Sequence, residues 1–255
     1  MADTEELAQS NLGAVRNVSE GKLQLTAMEN EWYNAESESY FERHQYMTTG
    51  SVTTENKMSF KYGYVEIKAK VPYKEGCWPS FWLRSHNATG KLSSPKFEVE
   101  VDVFEVFGNT TSMASNLHQQ NYDGKSYQTK NSDINTEEVH TFENTANLSD
   151  EYHIYGFEWE EERMAVSVDG VKQCEWKLDV WSLWLNYGMK PNNSGFNTTM
   201  NILFNNHLFT ESSSYIPSEG NTIENYEGNL PAEFDIDYVR LYQKNDGKSV
   251  LILGE

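Results

Sequence analysis

Along most of the chain, apolar and polar residues alternate one by one over short stretches, and turn residues break the runs. A period of two is that of a half-buried strand. Lys22-Leu23-Gln24-Leu25-Thr26-Ala27 follows it, directly after Glu20-Gly21. So do Tyr62 to Val71, Glu98 to Val103, Tyr152 to Glu158 and Arg163 to Val168, the last running into a turn at Asp169-Gly170. Met200 to Phe204 and Phe234 to Tyr242 complete the predicted strands. Helical spacing is weak: Glu5 to Gln9 allows one turn, and Leu178 to Leu185 a short helix. Many short strands between regular turns predict an all-β fold, an antiparallel sandwich or jelly roll. No internal repeat and no shift of composition marks a boundary. One domain over residues 1–255 is therefore expected, with 1–14 and 244–255 peripheral.

One strand carries unusual chemistry. In Phe97-Glu98-Val99-Glu100-Val101-Asp102-Val103-Phe104-Glu105-Val106, the residues Glu98, Glu100 and Asp102 share one face, and the valines share the other. The parity then breaks. Phe104 stands where the acidic face should continue, and Glu105 where an apolar residue should. A β-bulge between Asp102 and Glu105 inserts one residue and repairs both faults, returning Glu105 to the face of Glu100 and Asp102. Two Glu flanking an Asp suit a retaining glycosidase, whose nucleophile and acid/base carboxyls lie about 5–5.5 Å apart. Crowded negative charge would hold one of them protonated near neutrality. The bland alternative is an acidic strand facing solvent.

Composition narrows the partners. Among 255 residues, 20 Lys and Arg stand against 39 Asp and Glu, a formal net charge of -19. No positive field exists to track the phosphates of a nucleic acid. Anionic membranes and highly sulfated polymers are disfavoured for the same reason. No window approaches the roughly 18 apolar residues of a membrane span. Aromatic residues make up 13% of the chain, which argues for a folded protein with much ring surface to place. Small molecules, proteins and neutral carbohydrates remain as partners. Cys77 and Cys174 are the only cysteines, enough for one disulfide or two separate thiols. There is no HExxH, CxxC or EF-hand loop. The N-terminus, Met1-Ala2-Asp3, is polar and acidic and does not read as a secretory leader, so the protein is cytosolic or the sequence is a mature or trimmed form.

Glu100-Val101-Asp102-Val103-Phe104-Glu105 resembles the ExDxxE signature of glycoside hydrolase family 16 in its β-bulge form. Other segments are similar to the family in the same order. They are Gly63-Tyr64-Val65-Glu66, Gly76-Cys77-Trp78-Pro79-Ser80-Phe81-Trp82-Leu83, and Tyr152 to Trp159 followed by Val168-Asp169-Gly170. Asp237 to Gln243 closes the series, so the likeness covers roughly residues 15 to 243. The resemblance implies a β-jelly-roll with substrate crossing the concave sheet. It implies double displacement with retention: Glu100 as nucleophile, Glu105 as general acid/base and Asp102 as the assisting carboxylate. It also implies a protein acting outside the cell, at its surface or in a periplasm, as a monomer, with a polysaccharide or oligosaccharide as partner.

Further candidates follow from the same resemblance and from parity. Glu66 and Lys68 stand in the family's Glu-x-Arg pair, with Lys in place of Arg, and are expected to contact sugar. Trp78 and Trp82 share a face, as platforms for sugar rings or as core. Asn116 and His118 share a face on a strand beside the catalytic one. Trp181 and Trp184 lie in an aromatic stretch that reads as a subsite wall or a packed lid. Asn205-Asn206 replaces a pair that is Gly-Gly in many members, and is expected to narrow or polarise the cleft. Trp159 is expected in the core, and His153 to satisfy a structural hydrogen bond. Catalysis would need no metal; a structural calcium at the Gly21 carbonyl and Asp237 is implied by the family. The family's usual opening strand is not found ahead of Gly21. An endo-acting β-1,3- or β-1,3-1,4-glucanase is the expected activity. A galactan-active hydrolase (agarase, carrageenase or endo-β-galactosidase type) and a non-catalytic lectin-like module are the alternatives.

Overall fold

The computed structural model describes residues 16–29, 47–72, 77–85, 97–107, 111–121, 134–135, 138–141, 147–179, 196–208 and 230–254. Every regular element among them is a strand. In chain order these are β1 (Arg16–Ser19), β2 (Lys22–Glu29), β3 (Met47–Thr48), β4 (Gly50–Thr53), β5 (Met58–Lys61) and β6 (Gly63–Lys70). Then come β7 (Cys77–Arg84), β8 (Phe97–Glu105), β9 (Ser112–Asn121), β10 (Ile134–Asn135), β11 (Glu138–Thr141) and β12 (His153–Trp159). The series ends with β13 (Arg163–Val168), β14 (Val171–Lys177), β15 (Asn201–Leu208), β16 (Ala232–Tyr242) and β17 (Val250–Leu253). Among the described residues no helix is long and apolar enough to cross a membrane.

Two antiparallel sheets dominate. One runs β1-β2-β16-β6-β12-β13-β14 with β3 on β2; the other runs β10-β9-β8-β7-β15-β4 with β11 on β9. Strand alternation explains how they pack. On β6, Val65, Ile67 and Ala69 are buried while Tyr64, Glu66 and Lys68 face outward. On β8, Val99, Val101 and Val103 are fully buried. The two inner faces form one jelly-roll core that also holds Tyr155, Phe157, Trp159, Trp176 and Phe234. Trp159 lies in that core as its pattern predicts, edge-on to Phe60 and Tyr62 at 5.7 and 5.4 Å.

The turns have a local cause. Glu20-Gly21 and Asp169-Gly170 both sit at positive φ, at 52° and 80° and at 50° and 77°. That is the requirement of a two-residue hairpin turn matching strand twist. Asp169 also ties the sheet: its carboxylate accepts from the Ile154 amide at 2.8 Å and meets His153 Nδ1 at 2.7 Å. His153 is thus held by a structural partner.

The strand ahead of Gly21 is short: β1, Arg16-Asn17-Val18-Ser19, pairs with β2 from Arg16↔Leu25 to Ser19↔Lys22. Within residues 244–255, expected to be peripheral, β17 pairs with β5 in a separate two-stranded sheet. Cys77 and Cys174 form no disulfide; they belong to different sheets. The helical turns expected at Glu5 to Gln9 and, beyond Asp179, at Leu178 to Leu185 lie outside the described residues.

Phe104 links the layers. Its ring belongs to β8 but lies 4.4 Å from Tyr155 of β12 and 5.9 Å from Phe234 of β16, with Phe81 of β7 at 6.2 Å. We expect Phe104→Ala to lower unfolding free energy by about 3–5 kcal/mol, the cost of an aromatic-sized cavity. Urea unfolding measures this, and a loss below about 1 kcal/mol would show that the ring is not anchored there.

Candidate active site

The bulge foreseen in β8 is present. Glu100 pairs with His118 and Asp102 with Asn116 on β9, and the register then shifts before Glu105 pairs with Ala114. Val103 and Phe104 together oppose Ser115, whose hydroxyl donates to the Val103 carbonyl at 2.8 Å. Phe104 is fully buried. Glu105 therefore returns to the outward face with Glu100 and Asp102. The carboxylates of Glu100 and Asp102 and a ring nitrogen of His118 place one oxygen or nitrogen each within 4.8 Å of one another.

Neighbouring strands complete the face. On β7, Trp78, Ser80, Trp82 and Arg84 alternate with the buried Cys77, Phe81 and Leu83. Trp82 stands opposite Asp102, Arg84 opposite Glu100 and Ser80 opposite Glu105. Trp78 Nε1 donates to Glu105 Oε1 at 2.9 Å. Trp82 Nε1 donates to Asn205 Oδ1 at 2.6 Å, and the Asn205 amide reaches the Trp78 carbonyl at 3.4 Å. His118 Nε2 lies 2.9 Å from Asp102 Oδ2. Thus Trp78, Trp82, Asn116, His118 and Asn205 stand with the carboxylates on one face. Both tryptophans are partly exposed there, their indole N–H groups engaged and their rings at the surface.

Burial sets the electrostatics. It pushes the Asp102 carboxyl well above the usual range. It does the same to Glu105, where the Asp102 charge adds to the effect and the Trp78 N–H and His118 act against it. A carboxyl so placed keeps its proton at neutral pH and can give it away.

Two expected sugar contacts belong elsewhere. Glu66 and Lys68 lie on β6, in the other sheet, and face away from the core. The whole sandwich separates them from Glu100. Glu66 accepts from the Tyr238 hydroxyl at 2.8 Å, and Lys68 Nζ pairs with Asp237 Oδ2 at 2.7 Å. Alternation identifies an outward face but not which sheet bears it. Asn206 is also reassigned: it points inward, fully buried, and donates to the carbonyls of Leu25 and Ala232 across the layers at 3.0 and 2.9 Å. Only Asn205 of that pair polarises the cleft. Trp181 and Trp184 lie outside the described residues.

The calcium expectation does not fit the residues present. Asp237 sits at a bulge of β16 and already shares its Oδ2 with the Lys68 ammonium. A dication needs roughly six oxygen ligands, and here the one expected carboxylate is neutralised. Sequence reasoning also missed Phe107 and His207, whose rings flank Trp78 at 5.4 and 6.2 Å. Phe107 follows the end of β8, where alternation gives little guidance, whereas His207 lies within β15 opposite Trp78, on the same parity as Asn205. Arg84 was legible from parity with Trp82.

The raised Glu105 has a consequence for stability. Between the ordinary value of 4.5 and its raised native value, the folded protein binds a proton that the unfolded chain releases. Stability then falls as pH rises through that window. We expect Glu105→Gln to melt higher than the parent near about pH 8 and to flatten the slope between about pH 5 and pH 8. Equal slopes in thermal scans would contradict this.

The fold and the family of the chain are seen in known proteins. The chain is 26% identical over 235 residues to a glucan endo-1,3-beta-glucosidase A1 of Niallia circulans, covering 89% of this chain and 30% of that protein. It thus spans less than a third of that relative's length. Among solved structures, the laminarinase catalytic domain of Thermotoga maritima MSB8 matches at 25% identity and a TM-score of 0.65, over 91% of this chain and 81% of that one. A kappa-carrageenase of Zobellia galactanivorans, at 22% identity and a TM-score of 0.59 over 89% and 80% of the two chains, shares the fold. A family model described as glycosyl hydrolases family 16 matches residues 8–203. On that match the chain belongs to glycosyl hydrolases family 16, a family of glycoside hydrolases.

Proposed function

We propose that the protein is a retaining endo-β-glycan hydrolase that cuts β-1,3- or β-1,3-1,4-glucan outside the cytoplasm. The observation that carries this reading is the bulge, which gathers Glu100, Asp102 and Glu105 on one outward face beside two tryptophans. The Glu105 carboxyl donates its proton to the glycosidic oxygen as that bond breaks. The Glu100 carboxylate attacks the anomeric carbon from the opposite side and forms a covalent glycosyl-enzyme. Glu105, now a carboxylate, takes a proton from water. That water then displaces Glu100 and restores the starting configuration. Asp102, held by His118, sets the charge and position of Glu100. Trp78 and Trp82 offer ring faces to the apolar sides of sugar rings. A net charge of -19 and the glucanase relatives favour a neutral glucan over a sulfated galactan.

The test is a panel of laminarin, lichenan, agarose and carrageenan assayed for new reducing ends. Glucans are expected to be cut, with the β-anomer of the new end appearing first by NMR. Glu100→Gln should lower the rate about a thousandfold or more, equal to roughly 4 kcal/mol of barrier. Cutting of galactans alone would move the substrate class. Binding without new ends at any pH would point to a lectin-like module.

A second expectation concerns pH. The Trp78 N–H stabilises the ionised form of Glu105. Removing it in Trp78→Phe should raise the Glu105 pKa and move the alkaline limb of kcat/KM to higher pH. An unmoved or acid-shifted limb would assign that limb to another group.

A further inference from the structure

Where β6 begins and β12 and β16 end, the sheet opposite the one bearing Glu100 carries a hollow. It encloses about 510 Å³. Tyr64, Tyr242, Glu158, Glu160, Trp159 and Lys244 line it. The core lies between this hollow and Glu100.

Its floor is aromatic by construction. Tyr242 of β16 pairs directly with Tyr64 of β6, and their rings lie 6.2 Å apart at a tilt of only 31°. Tyr242 is 50% exposed. Gly156 of β12 stands beside Glu66 in the adjacent row, and a Cβ there would collide with the Tyr64 hydroxyl and ring edge. The missing side chain lets the Tyr64 ring lie across the sheet, where its hydroxyl bonds to Ser167. Two neighbouring rings thus form a broad, weakly tilted surface.

The wall is polar and fixed. Glu158 pairs with Arg163 at 2.7 Å, Glu160 with Lys244, and Glu161 with Lys248. Acceptors and donors are held side by side while most of the charge is compensated. A free cation has little to gain there, and an anion meets the acidic excess. Neutral hydroxyl groups suit such a wall, and the CH faces of pyranose rings suit such a floor.

We propose that this hollow is a second, non-catalytic binding site for a chain of neutral β-glucan. The proposal rests on the substrate reading above for the identity of the polymer. Holding the polymer here would raise its local concentration at the catalytic face without any new contact there.

The experiment uses native affinity gels containing laminarin or lichenan. The Glu100→Gln protein is run so that no polymer is cut, with and without Tyr242→Ala. Retardation by at least one polymer is expected for Glu100→Gln, with about a tenfold weaker apparent Kd in the double variant, the scale of one lost aromatic contact. Tyr242→Phe keeps the ring and should keep the binding. In the otherwise unaltered enzyme, Tyr242→Ala should leave the rate on a laminari-tetrasaccharide unchanged, which also reports that the variant folds. Equal retardation of the two Glu100→Gln proteins would overturn the site, as would no retardation of the parent. The catalytic reading fails by a different sign: the unaltered protein releases no reducing ends, whatever the gels show.

Discussion

The anchoring of Phe104 between the sheets is the constraint on which the active site depends. A regular strand would point Phe104 at solvent and Glu105 into the core. Both costs are large, since one exposes a fully buried ring and the other buries a carboxyl among apolar side chains. The bulge removes both at once, at the expense of one irregular pair opposite Ser115. The Ser115 hydroxyl then satisfies the Val103 carbonyl that the irregularity would leave without a ladder partner. Core packing and the gathering of the carboxylates are therefore the same event. The rings of Tyr155 and Phe234, on the far sheet, hold a carboxylate they never touch.

The same packing raises the pKa of Glu105, the proposed acid. Glu105 emerges at the edge of the bulge, beside Asp102 and under Trp78. Desolvation opposes its negative form, and the neighbouring carboxylate opposes it further. Two effects pull apart. The surrounding burial opposes ionisation, while the Trp78 N–H supports the ionised form. A general acid needs both, because the proton must be present at the start and must leave during bond cleavage.

Much of this was legible in the sequence because strands have a period of two and the acidic run breaks it at one place. The parity fault at Phe104 and Glu105 demanded a bulge, and the bulge is there. Parity likewise grouped Trp78 with Trp82, and Asn116 with His118. It could not say to which sheet a strand belongs. Glu66 and Lys68 had the right face and the wrong layer, because sheet order is set by long-range pairing such as β6 with β12 and β16. Asn205 and Asn206 illustrate a second limit. Two adjacent amides must point opposite ways, and only packing reveals that the inner one bonds carbonyls of β2 and β16. The pairing of Lys68 with Asp237 illustrates a third. A ligand carried over from a family keeps its position in the chain but not its charge environment.

A sandwich of this kind has two outer faces, and alternation makes both polar by default. Chemistry distinguishes them only where polarity is interrupted. On the seven-stranded sheet the interruption is the bulge, which concentrates carboxylates beside indole rings. On the other sheet it is Gly156, whose missing side chain leaves room for the Tyr64 ring to lie across β12, while register sets Tyr242 beside Tyr64. In both places one local departure from the strand pattern brings aromatic surface next to fixed polar groups. The difference lies in desolvation. Burial raises the carboxyl pKa values of Asp102 and Glu105, whereas Glu160, beside its lysine, is pulled below the usual range. A carboxylate kept ionised, as Glu160 is, can accept from hydroxyl groups but has no proton to donate to a leaving oxygen. Under the proposed function, that electrostatic contrast, more than any difference in residue types, puts bond cleavage on one face and leaves binding to the other.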